Sequence, residues 1–207
     1  MTRPLVIGLT GSIGMGKSTV AAMFEGARVP VFDADAEVHR LQGPGGELVL
    51  AIEELFPGTT GPDGVDRAKL SKAVLGNADA LRGLEELIHP AVGLNRMAFL
   101  EEHEDAPMVL FDIPLLYEKT GDAGLDAVIV VSASAEVQRE RVLKRPGMTV
   151  EKFEHILGLQ LPDAEKRERA DFIIDTGTDL DETRAQVNAL VTCLRAHDVR
   201  YCKQCVK

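Results

Sequence analysis

Residues 5–22 of the chain read LVIGLTGSIGMGKSTVAA, an apolar run followed by a glycine-rich loop and then by residues suited to a helix. The run Leu5–Thr10 does not alternate between apolar and polar residues, which is typical of a strand covered on both faces of a parallel sheet. From Gly11 to Ser18 the loop matches the pattern G-x-x-x-x-G-K-[ST] in the strand–loop–helix order that the pattern requires. Because glycines let successive backbone N–H groups approach phosphate oxygens, and a helix N-terminus favours anions, this stretch predicts a phosphate-binding loop.

The loop predicts the phosphate contacts of a bound ATP molecule. Lys17 brings a positive charge to the terminal phosphates, and Ser18 offers its hydroxyl to the Mg²⁺ ion that accompanies ATP. A glycine-rich turn that only precedes a helix is the alternative interpretation, and the complete pattern with both flanks disfavours it. The expected ATP-binding residues are Gly11, Ser12, Ile13, Gly14, Met15, Gly16, Lys17, Ser18 and Thr19.

Four further apolar runs have the character of buried strands: Val29–Phe32, Met108–Phe111, Ala127–Val131 and Phe172–Asp175. Helical periodicity lies between or after them, for example from Leu48 to Leu55 and from Val187 to Leu194. Together with the loop, this alternation predicts an α/β fold of the P-loop NTPase type, with a doubly wound, parallel, five-stranded sheet. We expect a single domain over residues 1–207.

Residues 36–105 are too many for a single crossover between neighbouring strands. Several helical patterns fill this interval, and breaks are expected at residues 43–46, at residues 57–64 and at Pro90. We therefore expect a helical insertion that is built on the sheet rather than an independent domain.

Residues 134–169 form a second interruption, after the fourth strand. Ser134 can cap a helix that runs through Arg145. Thr149 starts another helix, which Pro162 ends. Short helices that are joined by breakers and rich in arginine and lysine are suited to a mobile lid over a site.

Three residues outside the loop are candidates for phosphoryl transfer. Asp33 and Asp112 each follow a predicted strand, and the carboxyl ends of parallel strands line the ligand crevice of such folds. Asp33 is expected to orient or deprotonate an acceptor hydroxyl, and the alternative is a helix cap; both roles are compatible if Asp35 is the cap. Asp112 is a candidate Mg²⁺ ligand. Arg141 belongs to a basic cluster that can clamp a transferring phosphoryl group, with a solvated helix face as the alternative.

The charge and the cysteines argue against several classes of protein. With 23 basic and 33 acidic residues the formal net charge is −10, which disfavours a protein that coats nucleic acid or lies on an anionic membrane. No apolar stretch approaches the ~20 residues of a membrane helix, and no secretory signal is expected. The three cysteines form no disulfide framework, and the C-x-x-C pair Cys202 and Cys205 is interpreted as an inert or exposed tail of a reduced, cytoplasmic protein.

The remaining choice concerns what happens to the phosphate. No N-K-x-D tetrapeptide occurs, which disfavours a guanine-specific switch protein, and 207 residues are few for a motor or transporter ATPase. A small kinase that moves the γ-phosphoryl group of ATP is therefore favoured. Which small-molecule acceptor it uses stays open, and so does a regulatory module that holds ATP and phosphorylates no small molecule.

Motifs along almost the whole chain resemble the dephospho-coenzyme A kinase family. They are GLTGSIGMGKSTV (8–20), DAD (33–35), DGVDRAKL (63–70), LEELIHP (84–90), DIPLLYE (112–118) and ADFIIDT (170–176). DAD, IHP and DIPLL in this order are more specific than the phosphate-binding loop alone. Departures are Ser12 where that family often has glycine, Met15 where a small residue is usual, Tyr117 where Phe is frequent, and Thr176 where Asn is common.

The resemblance implies that ATP phosphorylates the ribose 3′-hydroxyl of dephospho-coenzyme A, in the last step of coenzyme A synthesis, with Mg²⁺. It implies that Asp33 is the catalytic base and that Arg141 is a lid arginine that contacts phosphate. Residues 36–105 would be the coenzyme A-side insertion and residues 134–169 the lid. The implied partners are the small molecules ATP and dephospho-coenzyme A, without nucleic acid or membrane, and the oligomeric state is not indicated.

Overall fold

The computed structural model describes residues 3–197 and 199–205. Its strands are β1 (Leu5–Thr10), β2 (Val31–Asp33), β3 (Thr60–Gly61), β4 (Gly64–Val65), β5 (Met108–Asp112), β6 (Ala127–Ser132) and β7 (Phe172–Asp175). Its helices are α1 (Lys17–Gly26), α2 (Ala34–Gln42), α3 (Val49–Leu55), α4 (Arg67–Val74), α5 (Ala78–Glu102), α6 (Ala135–Leu143), α7 (Val150–Gly158), α8 (Asp163–Arg169), α9 (Leu180–Ala196) and α10 (Val199–Cys205). A π-helical turn spans Leu116–Thr120.

A five-stranded sheet has the strand order β2-β5-β1-β6-β7. The central strand β1 pairs in parallel with β5, where Leu5 lies opposite Met108, and with β6. Strand β7 pairs in parallel with β6, where Ile129 lies opposite Phe172. The predicted α/β fold with a five-stranded parallel sheet is therefore confirmed, and the loop after β1 leaves the sheet at its centre.

Side chains on both faces of the sheet are buried, which explains why the strands are apolar without alternation. On one face Ile7 and Ile129 lie in a cluster with Phe24 of α1 and Leu190 of α9. On the other face Val130 packs with the π-helical turn and its surroundings. Covering both faces buries β1 and most of the loop that follows it, and after β1 the chain first becomes exposed at Ser18 and Thr19, in the first turn of α1.

The observed strands lie close to the predicted ones, also at the carboxyl ends that carry the candidate site residues. β1 and β7 have the predicted bounds, and β5 and β6 each run one residue further. β2 covers residues 31–33 rather than 29–32, so that Asp33 is the last residue of a strand. Asp112 is likewise the last residue of β5.

Residues Asp33–Glu102 form a compact unit, distinct from the unit that comprises the remaining residues. A buried apolar cluster holds its helices together, with members Leu41, Leu48, Ile52, Phe56, Leu70 and Leu84. The short hairpin of β3 and β4 lies in the stretch where the sequence predicts only a break. Its two turn residues, between the paired Gly61 and Gly64, are Pro62 and Asp63, which are residue types that favour turns.

The predicted break at Pro90 is wrong, because α5 continues through this residue from Ala78 to Glu102. Proline removes one backbone N–H donor, which a long helix tolerates when tertiary contacts compensate. Ile88 and Ala91 on either side of Pro90 pack against the apolar cluster of this unit. Neither α5 nor any other helix of the described part of the chain is long and apolar enough to cross a membrane.

Residues 134–169 contain the two expected short helices, α6 and α7, and a third, α8, that was not predicted. The Ser134 hydroxyl accepts a hydrogen bond from Val137 N–H, and the Thr149 hydroxyl accepts one from Lys152 N–H, so both predicted caps are confirmed. Helix α6 ends at Leu143 rather than at Arg145. Pro162 does not end α7 but precedes α8, which suits a residue without an N–H donor.

Candidate active site

The loop between β1 and α1 has the backbone shape of an anion site. Gly14 and Gly16 have φ values of 79° and 87°, a region that glycine adopts without steric cost. Helix α1 begins at Lys17, and no side chain of the described residues caps its first turn. The N–H groups at this helix start are therefore suited to receive phosphate oxygens.

Two glycines of the loop have a second role, because neighbouring elements leave no room for a side chain. A Cβ atom at Gly11 would lie 2.8 Å from the carbonyl oxygen of Val131 on β6. A Cβ atom at Gly14 would overlap the Val142 side chain on α6. The glycines therefore seat the loop against β6 and α6 as well as opening it to phosphate.

Lys17 forms an ion pair with Asp112, which brings together two of the residues predicted from the sequence. Asp112 is buried, while the Lys17 side chain remains 16% exposed. An ammonium group that neutralises a carboxylate can equally neutralise a phosphate, since both attract it by charge. Lys17 is thus held beside the loop by a partner that a phosphate group can replace.

The residues expected to hold Mg²⁺ offer the hard oxygen donors that this ion prefers. Ser18 is exposed in the first turn of α1, and Asp112 ends the strand next to β1. Mg²⁺ in nucleotide enzymes binds one or two protein groups together with substrate phosphates and retains several waters. Ser18 and Asp112 therefore fit an ion that is carried largely by ATP, and within residues 3–197 and 199–205 no cluster of three or more His, Cys, Asp or Glu is arranged around a metal position.

Two glutamines from residues 134–169 hold the loop at Ile13. The Ile13 N–H donates to Gln160 Oε1 over 2.9 Å, and the Ile13 carbonyl accepts from Gln138 Nε2 over 2.8 Å. Gln138 lies on α6, and Gln160 lies between α7 and α8. The predicted lid is consequently connected to the phosphate-binding loop through α6 and through the segment between α7 and α8.

Arg141 lies on α6 and contacts Thr176 in the loop that follows β7. Its guanidinium donates to the Thr176 carbonyl over 2.6 Å and to the Thr176 hydroxyl over 3.1 Å. The Thr176 hydroxyl in turn donates to the carbonyl of Met15 over 2.7 Å. Arg141 is therefore not on a freely solvated face, because Thr176 joins it to the phosphate-binding loop.

A second lysine–carboxylate pair lies in the same unit, between α8 and the π-helical turn. Lys166 is completely buried, and its Nζ lies 2.7 Å from Glu118 Oε1, which also accepts from the Leu161 N–H over 2.9 Å. Burial acts to raise the pKa of Glu118, but the Lys166 ammonium and the Leu161 N–H outweigh it and hold that pKa below its ordinary value. Lys166, although it lies in the basic stretch of residues 134–169, is therefore engaged in the interior.

Asp33 ends β2 and caps the helix that follows. Its Oδ1 accepts a hydrogen bond from Ala36 N–H over 2.9 Å, and its side chain is exposed. Asp35 lies in the first turn of α2, so of the two candidate caps the structure uses Asp33, and the combination of Asp33 as base with Asp35 as cap is not found. Because the cap uses one of its two oxygens, Asp33 retains a carboxylate oxygen for an acceptor hydroxyl.

Sequence reasoning missed Gln138, Gln160 and Thr176. All three are uncharged, and each contacts a loop residue that lies more than a hundred positions away along the chain. Thr176 was singled out only as a departure from the motif of the resembling family. Glutamine carries no spacing signal of its own, so only a tertiary contact could identify these residues.

Comparisons with known proteins agree with this geometry. The family profile described as Dephospho-CoA kinase matches residues 5–182. A protein named dephospho-CoA kinase from Novosphingobium aromaticivorans is 64% identical over 200 residues, which cover 97% of this chain and 100% of that protein.

Solved structures show the same fold. A crystal structure of a protein from Thermus thermophilus aligns with a TM-score of 0.80 and 33% identity, covering 92% of this chain and 98% of that one. A dephospho-CoA kinase from Campylobacter jejuni aligns with a TM-score of 0.64 and 23% identity, covering 93% of this chain and 98% of that one. From its loop geometry, the extent of the profile match and the identity to its relatives, the chain belongs to the dephospho-CoA kinase family.

Proposed function

We propose that the protein transfers the γ-phosphoryl group of ATP to the ribose 3′-hydroxyl of dephospho-CoA, giving CoA and ADP. The observation that carries this proposal is the phosphate-binding loop, with Lys17 held at its edge by Asp112, in a chain of the dephospho-CoA kinase family. Phosphoryl transfer needs little covalent chemistry from the protein, so positioning and charge account for most of the catalysis.

The nucleotide phosphates bind to the loop from Gly11 to Thr19 in this proposal. Lys17 leaves Asp112 and neutralises the terminal phosphates, while the N–H groups at the start of α1 hold the phosphate oxygens. Ser18 and Asp112 would hold a Mg²⁺ ion, which would neutralise part of the charge of the phosphates.

Asp33 orients the acceptor hydroxyl and accepts its proton as the bond to phosphorus forms. Arg141 lies in the lid, residues 134–169, and contacts the transferring phosphoryl group. Before this contact forms, the Thr176 carbonyl holds the Arg141 guanidinium. Residues 36–105 provide the coenzyme A side of the single domain.

The proposal names only small molecules, ATP and dephospho-CoA, as partners. It places the reaction in the cytoplasm, in keeping with a chain whose three cysteines form no disulfide framework. The net charge of −10 argues against nucleic acid or an anionic membrane as a partner.

An ADP-release assay with Mg²⁺ and ATP tests the proposal. Dephospho-CoA is compared with pantothenate, nucleosides and gluconate, and the product is identified by mass. Release that depends on dephospho-CoA, with one phosphate added to it, is the expected result. Release with another acceptor would keep the kinase and overturn the substrate, whereas release with none would contradict a small-molecule kinase.

The role of Asp33 is tested with Asp33→Asn, because asparagine caps a helix as well as aspartate does but is no base. We expect kcat to fall by about 10²–10⁴-fold while the melting temperature and ATP affinity stay close to those of the unaltered protein. The matched control is Asp35→Asn, which removes the same charge from the same helix turn and should retain kcat. An active Asp33→Asn variant would leave Asp33 with the cap alone.

A further inference from the structure

Two of the three cysteines meet at the junction of α9 and α10. Cys193 lies on α9 and Cys202 on α10, and their sulfur atoms are 2.6 Å apart, both as thiols. This separation exceeds the ~2.0 Å of a disulfide bond by about half an ångström. The sequence spacing pairs Cys202 with Cys205 instead, so the contact could not be read from the C-x-x-C pattern.

The surroundings hold the two helices in place independently of the sulfurs. Cys202 is completely buried in the main apolar cluster, against which Cys193 packs, so the interpretation of Cys202 as part of an exposed tail is wrong. Lys203 on α10 forms an ion pair with Asp171, whose Oδ2 accepts from the Val128 N–H over 2.6 Å. The burial of Cys202 and the ion pair of Lys203 therefore hold α10 beside α9 without a covalent bond between the sulfurs.

Cys193 is the thiol that a dissolved reagent reaches. It lines an open groove of about 490 Å³ together with Thr192, His197 and Tyr201. The rings of His197 and Tyr201 are 4.0 Å apart and form one wall. Cys202 has no exposed surface, so it can only react through Cys193.

We propose that Cys193 and Cys202 are a modification site that closes to a reversible disulfide when a peroxide oxidises it. The Cys193 thiolate attacks one oxygen of hydrogen peroxide; the other oxygen leaves as hydroxide and becomes water with the thiol proton, which leaves a sulfenic acid. The Cys202 sulfur then displaces the sulfenic hydroxyl, which leaves as a second water with the Cys202 proton. Two thiols and one peroxide thus give one disulfide and two waters.

The cysteine pair lies away from the proposed catalytic site, although both belong to the same unit. Asp171, to which α10 is tied, directly precedes β7, whereas Thr176 and the phosphate-binding loop lie at the carboxyl ends of the strands. The bond would join α9 to α10 without crossing the ATP site. We therefore expect it to stabilise this end of the fold and to leave kcat unchanged.

The test treats the full chain with hydrogen peroxide and maps the linked peptides by mass after digestion without reductant. The expected product joins Cys193 to Cys202, lacks two hydrogens and reverts with dithiothreitol. The matched control Cys205→Ser should form the same bond, while Cys193→Ser should not. A bond between Cys202 and Cys205, or sulfinic and sulfonic acids as the main products of the folded chain, would overturn the proposal.

The melting temperature gives a second test that does not depend on a single variant. The oxidised protein should melt a few degrees higher than the reduced protein, because the bond restricts the unfolded chain. The same oxidation of Cys205→Ser should raise its melting temperature equally. A lower melting temperature after oxidation would show that the two sulfurs cannot bond without distorting the helices, against the proposal.

Discussion

Two lysines of the same unit are paired with carboxylates, yet their surroundings assign them different tasks. Lys17 contacts Asp112 at the edge of the phosphate-binding loop, and its side chain is 16% exposed. Lys166 contacts Glu118 beneath α8, and its side chain is 0% exposed. The pairs are chemically alike, so the difference between them comes from access and from additional partners.

Access decides whether a charged partner can be exchanged. Phosphate oxygens that approach the start of α1 can reach Lys17, whereas nothing can approach Lys166 without opening the interior. Glu118 is also held by the Leu161 N–H, so the second pair is tied to the backbone on the carboxylate side. A lysine next to a carboxylate is thus a functional residue in one place and a structural residue in the other, because desolvation makes the buried pair costly to break.

The largest expected effect is on activity, from Lys17→Met. Without the ammonium, the terminal phosphates lose a charge that acts mostly in the transition state, so we expect kcat/KM to fall by about 10³-fold. Steady-state ADP release measures this loss. Activity within tenfold of the unaltered protein would contradict the assignment of Lys17.

Lys166→Met should have the opposite profile. It leaves the Glu118 carboxylate buried without its cation, which we expect to lower the free energy of unfolding by about 3 kcal/mol. Chemical denaturation measures the loss, and kcat/KM of the folded protein should change by less than about threefold. The double variant Lys166→Met with Glu118→Gln removes both charges and should recover most of the stability. A large drop in kcat without a loss of stability would instead make Lys166 part of the active site.

The pH dependence of stability tests the carboxylate side of the buried pair. In the folded protein the pKa of Glu118 lies below its ordinary value of 4.5. The contribution of the ionised carboxylate to the free energy of unfolding is therefore complete above pH 4.5, and it is lost as the pH falls through the folded pKa. The gap in unfolding free energy between the unaltered protein and Glu118→Gln should therefore be constant at neutral pH and narrow below about pH 4.5. A gap that is independent of pH down to acid unfolding would contradict the ion pair.

The smallest effect is expected from Tyr117→Phe, next to Glu118. Burial, with the negative charges of Asp171 and Asp122, raises the pKa of Tyr117 to about 12. Its hydroxyl is buried and has no hydrogen-bond partner among the described residues. Removing it should stabilise the protein by up to about 1 kcal/mol at neutral pH.

Alkaline titration gives Tyr117→Phe a second readout. A folded pKa above the ordinary value of 10.0 means that the unaltered protein loses stability as the pH rises from there towards about 12. Phenylalanine does not titrate, so the advantage of the variant should widen over this interval. An advantage that stays constant from neutral to alkaline pH would show that the phenol does not have a raised pKa.

Features that depend on local sequence were predicted well. The strand β1, the glycine-rich loop and the start of α1 follow from short-range rules about apolar runs, glycine dihedrals and helix ends. The caps at Ser134 and Thr149 are equally local, because each hydroxyl bonds a backbone N–H three residues further on. The prediction at Pro90 failed because packing of the neighbouring apolar residues outweighed a local helix breaker.

The phosphate-binding loop, the parallel sheet and the resemblance to a kinase family follow from the order of the residues, since these features depend on residue types at fixed spacing. The partner of each charged residue depends on contacts that form only when the chain is folded. Gln160 reaches Ile13 across 147 positions and Thr176 reaches Met15 across 161, distances over which spacing carries no information. Lys17 follows a glycine-rich stretch and Lys166 lies in a basic one, but these surroundings in the sequence do not distinguish their roles. Solvent access, which exists only in the folded chain, makes the partner of Lys17 exchangeable and that of Lys166 permanent.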